Sequence, residues 1–93
     1  MNTINIIQNE SISIKVIYKN HNGEVIPYND NLNITAILKK NGIKQDITIY
    51  IMADIVIIPA DATTNLLGEY ELTVFVNDGI FGSASRLKII INN

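Results

Sequence analysis

Residues 68–76 alternate almost without fault: Tyr70, Leu72, Val74 and Val76 fall on one face, and Glu69, Glu71 and Thr73 on the other. Alternation with a period of two is the mark of a strand with one buried face in an antiparallel sheet. The same pattern recurs along the chain. In residues 11–19, Ile12, Ile14, Val16 and Tyr18 oppose Ser11, Ser13, Lys15, Ile17 and Lys19. In residues 33–40, Ile34, Ala36 and Leu38 oppose Thr35, Ile37 and Lys39; in residues 43–51, Ile47, Ile49 and Ile51 share a face. Residues 83–91 end the series with Leu87, Ile89 and Ile91 inward, and residues 2–7, through Ile4 and Ile6, suit a first edge strand. A short strand at 24–26 stops at Pro27, which has no N–H for a ladder. Residues 54–58 differ, being a nearly continuous apolar run of the kind expected for a strand buried on both faces.

Between these segments lie residues that tolerate tight reversal. Asn20-His21-Asn22-Gly23 reads as a turn, and Asn41-Gly42 and Asp78-Gly79 as two-residue hairpin connections. Pro59-Ala60-Asp61-Ala62-Thr63-Thr64 changes character, since Pro pre-sets the φ of a first helical turn and Asp and Thr can cap it. We expect one short helical turn near residues 59–65, crossing between two sheets. No segment sustains a helical period, and no repeat, low-complexity tract or linker is present. About seven or eight short strands at this spacing describe an all-β antiparallel sandwich, formed as a single domain over residues 1–93.

Composition narrows the function. With 93 residues and 47% hydrophobic content there is enough for one modest core. Cys is absent, which removes disulfides, thiol chemistry and thiolate metal sites. The net charge of −2 and the scattered Lys and Arg give no attraction to phosphate, so nucleic acid is not an expected partner. Only 17% of residues are charged, against about 25% in an average soluble domain, and the mean hydropathy is +0.21. Two explanations stand side by side: a surface that packs against other proteins, or the Ile and Asn bias of an AT-rich gene. The N-terminal residues lack the basic and apolar regions of a signal peptide, and no stretch approaches the ~20 apolar residues of a membrane span. The expectation is a soluble protein made in the cytoplasm, not exported by that route and not held in a membrane.

No residue set points to catalysis, a cofactor or a metal. His21 is the only histidine and lies in an expected exposed turn, while Asp30, Asp46, Asp54, Asp61 and Asp78 are isolated and read as solvated loop carboxylates. One feature stands out from the pattern. Ile17, Ile37, Phe75 and Ile90 fall on the face opposite the inward set of their own strands. On neighbouring strands they would form a contiguous apolar patch, a candidate protein interface; on separate strands they would be scattered exposed groups of the ordinary kind.

Taken in order, the chain resembles the immunoglobulin-like N-terminal domain of phage baseplate upper proteins and related virion modules. The likeness runs through Ser11-Ile12-Ser13-Ile14-Lys15-Val16, Asn22-Gly23-Glu24-Val25-Ile26 and Thr35-Ala36-Ile37-Leu38-Lys39-Lys40-Asn41-Gly42 to Ile57-Ile58-Pro59-Ala60-Asp61-Ala62 and Gly68-Glu69-Tyr70-Glu71-Leu72. Its most recognisable part is the strand-Pro-turn-Gly-x-Tyr passage, in which Gly68 and Tyr70 are structural. The fuller tyrosine-corner pattern has Asp two residues before the Gly; this chain has Leu66. Baseplate upper proteins also carry a long C-terminal part, whereas this sequence stops soon after its last strand. The resemblance implies an immunoglobulin-like sandwich without catalytic residues or cofactors. It also implies a non-enzymatic virion protein, an auxiliary or decoration protein or a small adaptor, contacting the major capsid protein or the fibre and tail proteins in many copies. A tail or baseplate component is one alternative. A module binding carbohydrate or a host surface is another, and would draw on Tyr28, Tyr50 and Phe81 near the expected loops.

Overall fold

The computed structural model describes residues 2–19, 22–52 and 55–93. Within them the chain forms β1 (Thr3–Ile7), β2 (Ile12–Lys15), β3 (Tyr18–Lys19), β4 (Val25–Ile26), β5 (Asn33–Lys40), β6 (Ile43–Asp46), β7 (Tyr50–Met52) and β8 (Ile55–Ile58). A 3-10 turn (Ala60–Thr63), β9 (Gly68–Asn77) and β10 (Gly82–Asn92) complete it. One sheet has the order β1-β10-β9-β5-β6, the second β2-β8-β7, and β3-β4 is a separate two-stranded ladder. With β2, β8 and β7 as strands B, E and D, and β10, β9 and β5 as G, F and C, this is the strand order of an immunoglobulin sandwich.

The expected alternation builds the core. Leu72 and Ile89 from the five-stranded sheet and Val56 and Ile58 from the three-stranded sheet are each at most 1% exposed, and Ile34, Ala36, Leu38, Val74, Val76 and Ile91 are buried around them. In β9 the inward set runs from half-buried Tyr70 through Leu72 and Val74 to Val76. A one-residue slip would turn this whole set to solvent, so the burial fixes the register.

Four expectations change in detail. The strand expected over residues 11–19 is split into β2 and β3, because its partner β8 begins at Ile55 opposite Lys15 and β3 takes β4 instead. The strand expected over 43–51 also divides. It leaves β5 after Asp46, opposite Ile37, and re-forms as β7 beside β8, while Ile47, Ile49 and Ile51 still pack on the core. The Asp78-Gly79 hairpin has a longer loop, since Asn77 pairs with Gly82 and the Asp78 N–H donates to the Phe81 carbonyl at 3.0 Å. Asn41-Gly42 is a two-residue connection as expected, with Lys40 opposite Ile43 and φ values of 53° and 82°. Of the turn expected at residues 20–23, Asn20 and His21 lie outside the described residues, as does Asp54 of the 54–58 run.

One pairing departs from the antiparallel rule. β1 runs parallel to β10, held by Lys88 N–H to Asn2 O and Gln8 N–H to Asn92 O, both 2.8 Å. After Ile7 the chain changes sheets through a turn in which Asn9 takes φ of 71°. That turn is fixed from the 3-10 turn. Thr63, 1% exposed, accepts the Asn9 N–H at 3.0 Å, and its hydroxyl lies 3.1 Å from the Glu10 carbonyl and 3.0 Å from that of Ala60. Thr64 Oγ1 donates to Asn9 Oδ1 at 2.6 Å. The Asp and Thr residues therefore do not cap the 3-10 turn, which has no side-chain cap at Pro59; its threonines hold the first strand crossing instead.

The start of β9 is tied down by a different group from the usual one. Among the described residues, no hydrogen bond links the Tyr70 hydroxyl to the preceding loop; Lys40 Nζ donates to the Leu67 carbonyl at 2.6 Å and lies 5.0 Å from the centre of the Tyr70 ring. Lysine thus makes the tie-back that tyrosine makes elsewhere. Gly68 adjoins it with φ of +101°, and a Cβ there would lie 2.9 Å from Lys40 Nζ. The lysine end can swing away, but the backbone strain would remain.

Two stability outcomes follow. Thr63→Val leaves the Asn9 N–H without its acceptor and should lower stability by about 1–3 kcal/mol in urea unfolding, with Thr63→Ser close to wild type. Gly68→Ala should lower it by more than about 1 kcal/mol and release Lys40, seen as loss of its NMR shift from the Tyr70 ring; an unchanged shift would contradict the tie-back.

Candidate protein interface

The sandwich has two outer faces of different chemistry. On the five-stranded sheet, Thr35 and Ile37 of β5 stand beside Phe75 and Thr73 of β9, and Ala84 and Arg86 of β10 flank these from the other side. Ile37 is diagonal to Phe75, within reach for side chains of this size. Thr73 is only 6% exposed although it points outward, because Ile37 and Arg86 flank it across both ladders. Further along, this face is ionic: Lys88 Nζ lies 2.9 Å from Glu69 and Arg86 Nε 3.8 Å from Glu71. Such exposed pairs contribute little to stability, yet they offset charge and leave the Ile37–Phe75 end as the apolar part.

The four outward apolar residues are thus only partly brought together. Ile37, half-buried, and Phe75, 36% exposed, are neighbours. Ile90 is on the same outer face but beside Glu69 and Asn5, far along the strands from Phe75. Ile17, 56% exposed, belongs to the other layer, between β2 and β3.

That other layer holds apolar groups the alternation did not single out. Tyr50, Met52 and Ile55 are 60%, 65% and 40% exposed, and Val25 is 60% exposed. Their signal was present in residues 54–58, read as a strand buried on both faces. β8 is buried on one face only, through Val56 and Ile58, because this chain supplies two layers and no third.

At the hairpin end, Tyr18 is 3% exposed and its hydroxyl donates to the Phe81 carbonyl at 3.1 Å. Asp78 Oδ1 accepts the N–H groups of Ile80 and Phe81 at 2.9 and 2.8 Å. Burial, then the neighbouring Asp78 carboxylate, pushes the Tyr18 hydroxyl above its ordinary pKa. The Phe81 and Ile80 N–H groups hold Asp78 below its ordinary carboxylate range. A cleft of about 200 Å³ opens nearby, lined by Val16, Tyr18, Ile26, Tyr28, Ile34 and Val76 among others. It is smaller than the roughly 300–1,000 Å³ of most small-molecule sites. Tyr28 lines it, while Tyr50 lies on β7 beside a groove that includes Pro59 and Asp61, so the aromatic residues are not gathered at one loop end.

Comparison with known protein families, with curated proteins and with solved structures finds no match to this chain.

The hairpin geometry sets a pH dependence. A carboxylate whose folded pKa lies below its unfolded value stabilises fully above that unfolded value, here 3.8, and the contribution disappears as pH falls through the lower folded value. Thermal midpoints should therefore drop on acidification below this range. Asp78→Asn, which keeps an acceptor for both N–H groups, should flatten that drop, and Asp78→Ala should lower the midpoint at neutral pH. An Asp78→Asn profile that follows wild type would assign the acid loss elsewhere.

Proposed function

We propose that this chain is a non-enzymatic structural protein of a bacteriophage virion. In this reading a small immunoglobulin-like auxiliary, decoration or adaptor domain docks on the capsid surface or at a fibre base, in many copies, after synthesis in the host cytoplasm. The observation that carries the contact role is the Ile37–Phe75 pair. It forms an apolar centre on a sheet face whose remaining charges are paired with one another. The Gly-x-Tyr passage at Gly68 and Tyr70, with the likeness it carries to phage immunoglobulin-like domains, supports the virion setting. The domain would work by burying sheet surface: a standard contact takes about 800 Å² per partner, a substantial share of its 5969 Å². A tail or baseplate location is the same reading with a different neighbour. The carbohydrate-binding reading gains no support from a cleft this small.

Phe75→Lys should fold with a wild-type circular dichroism spectrum and fail to enter particles, read as loss of the protein from purified virions. Gold labelling of intact particles locates the wild type. Protein confined to the cytosol of infected cells, or full incorporation of Phe75→Lys, would overturn the respective part of the proposal.

A further inference from the structure

We propose that two copies of this chain pack face to face through the outer surface of the β2-β8-β7 sheet. The alternation that buries Val56 and Ile58 sends Ile55 and Ile57 outward. Register then sets Tyr50 opposite Ile57 and Met52 opposite Ile55, making one apolar block on two adjacent strands. On the other side of β8, Ser13 lies opposite Ile57 and Lys15 opposite Ile55. Exposed Ile17 and Val25 extend the same layer toward the hairpin end. Among the described strand residues of this layer, only Lys15 and Lys19 are charged.

Three observations select a second copy as the occupant. Residues 55–58 are apolar at every position, the pattern of a strand with a layer on each side, and this chain provides one of those layers. Size also fits. The domain measures 42 × 25 × 20 Å, so one broad face is of the order of the ~800 Å² per partner used by stable complexes.

Charge then chooses the geometry. A two-fold axis across the strands would stack β2 on β2 and set Lys15 against Lys15. An axis along the strands lays each β2 over the partner's β7. The Lys15 stem then covers Met52 and its ammonium approaches the Tyr50 ring, a favourable cation–π arrangement. Packed sheets about 10 Å apart with strands inclined by about 30° permit this. The contact is isologous, so it closes at two copies and does not polymerise. It stands apart from the virion assignment, because it concerns the opposite face and is measurable on the isolated protein.

Sedimentation equilibrium of the full chain tests it. Wild type should be a dimer. Met52→Lys, at an exposed position on a short edge strand, should keep the folded spectrum and thermal midpoint and weaken association by about 100-fold or more, because it brings like charges together in a desolvated contact. Ile55→Lys should do the same, and Phe75→Lys should leave the dimer intact. A wild type that stays monomeric at its highest soluble concentration would overturn the proposal. So would a dimer that survives Met52→Lys or is lost in Phe75→Lys, or a monomer that uses Met52 to hold a different protein. Virion incorporation is read separately, so either idea can fail alone.

Discussion

Everything in this domain depends on closing two sheets of unequal size over one layer of side chains. Leu72 and Ile89 on one side meet Val56 and Ile58 on the other, and these four are the most deeply buried apolar residues. With no cysteine in the chain, no disulfide bridges the sheets. Burial of alternating Ile, Leu and Val side chains must therefore offset the entropy of a small chain. That requirement sets the register of β9 between β10 and β5, and through those ladders the direction in which every outer residue points.

The unequal sheets force the chain to change layers at places where alternation continues but the hydrogen-bond partner changes. After Ile7 the change is made by a positive-φ asparagine held on Thr63. After Asp46 it is made along Ile47 to Ile49, which keep their inward side chains on the core while the backbone leaves β5. The 3-10 turn makes the third change, from β8 to β9. Thr63 in that turn serves two crossings at once. Its hydroxyl is buried and fully engaged, so it is a polar contact on which the placing of β1 depends.

Much of this was legible in the sequence. The inward sets of β2, β5, β9 and β10, the Asn41-Gly42 connection, the crossing turn after Pro59 and the sandwich class all follow from period-two alternation and turn chemistry. Layer changes were not legible, because alternation reports which side faces the core and says nothing about which neighbour accepts the N–H. For the same reason residues 43–51 read as one strand. Nor does the pattern order strands within a sheet, so it could not say whether Ile17, Ile37, Phe75 and Ile90 would meet. Only the β5–β9 register joins Ile37 to Phe75. The tie at Gly68 was hidden for another reason, since Lys40 sits in sequence as the outgoing end of a hairpin and reaches Leu67 only through the fold.

The two outer faces divide the work of contact in a way that follows from their chemistry. An uncharged block such as Tyr50, Met52, Ile55 and Ile57 is poorly tolerated in water and suits a contact that stays closed. The opposite face keeps paired carboxylates and cations around a small apolar centre, a composition suited to docking after folding. If the apolar faces pair, the two Ile37–Phe75 centres point away from each other on opposite sides of a two-fold assembly. A pair built this way presents the same site twice, so it can bridge two equivalent neighbours rather than cover one. For a protein proposed to reinforce a repeating surface, joining neighbours stabilises more than covering each singly, because the second contact of a bridge forms at high effective concentration.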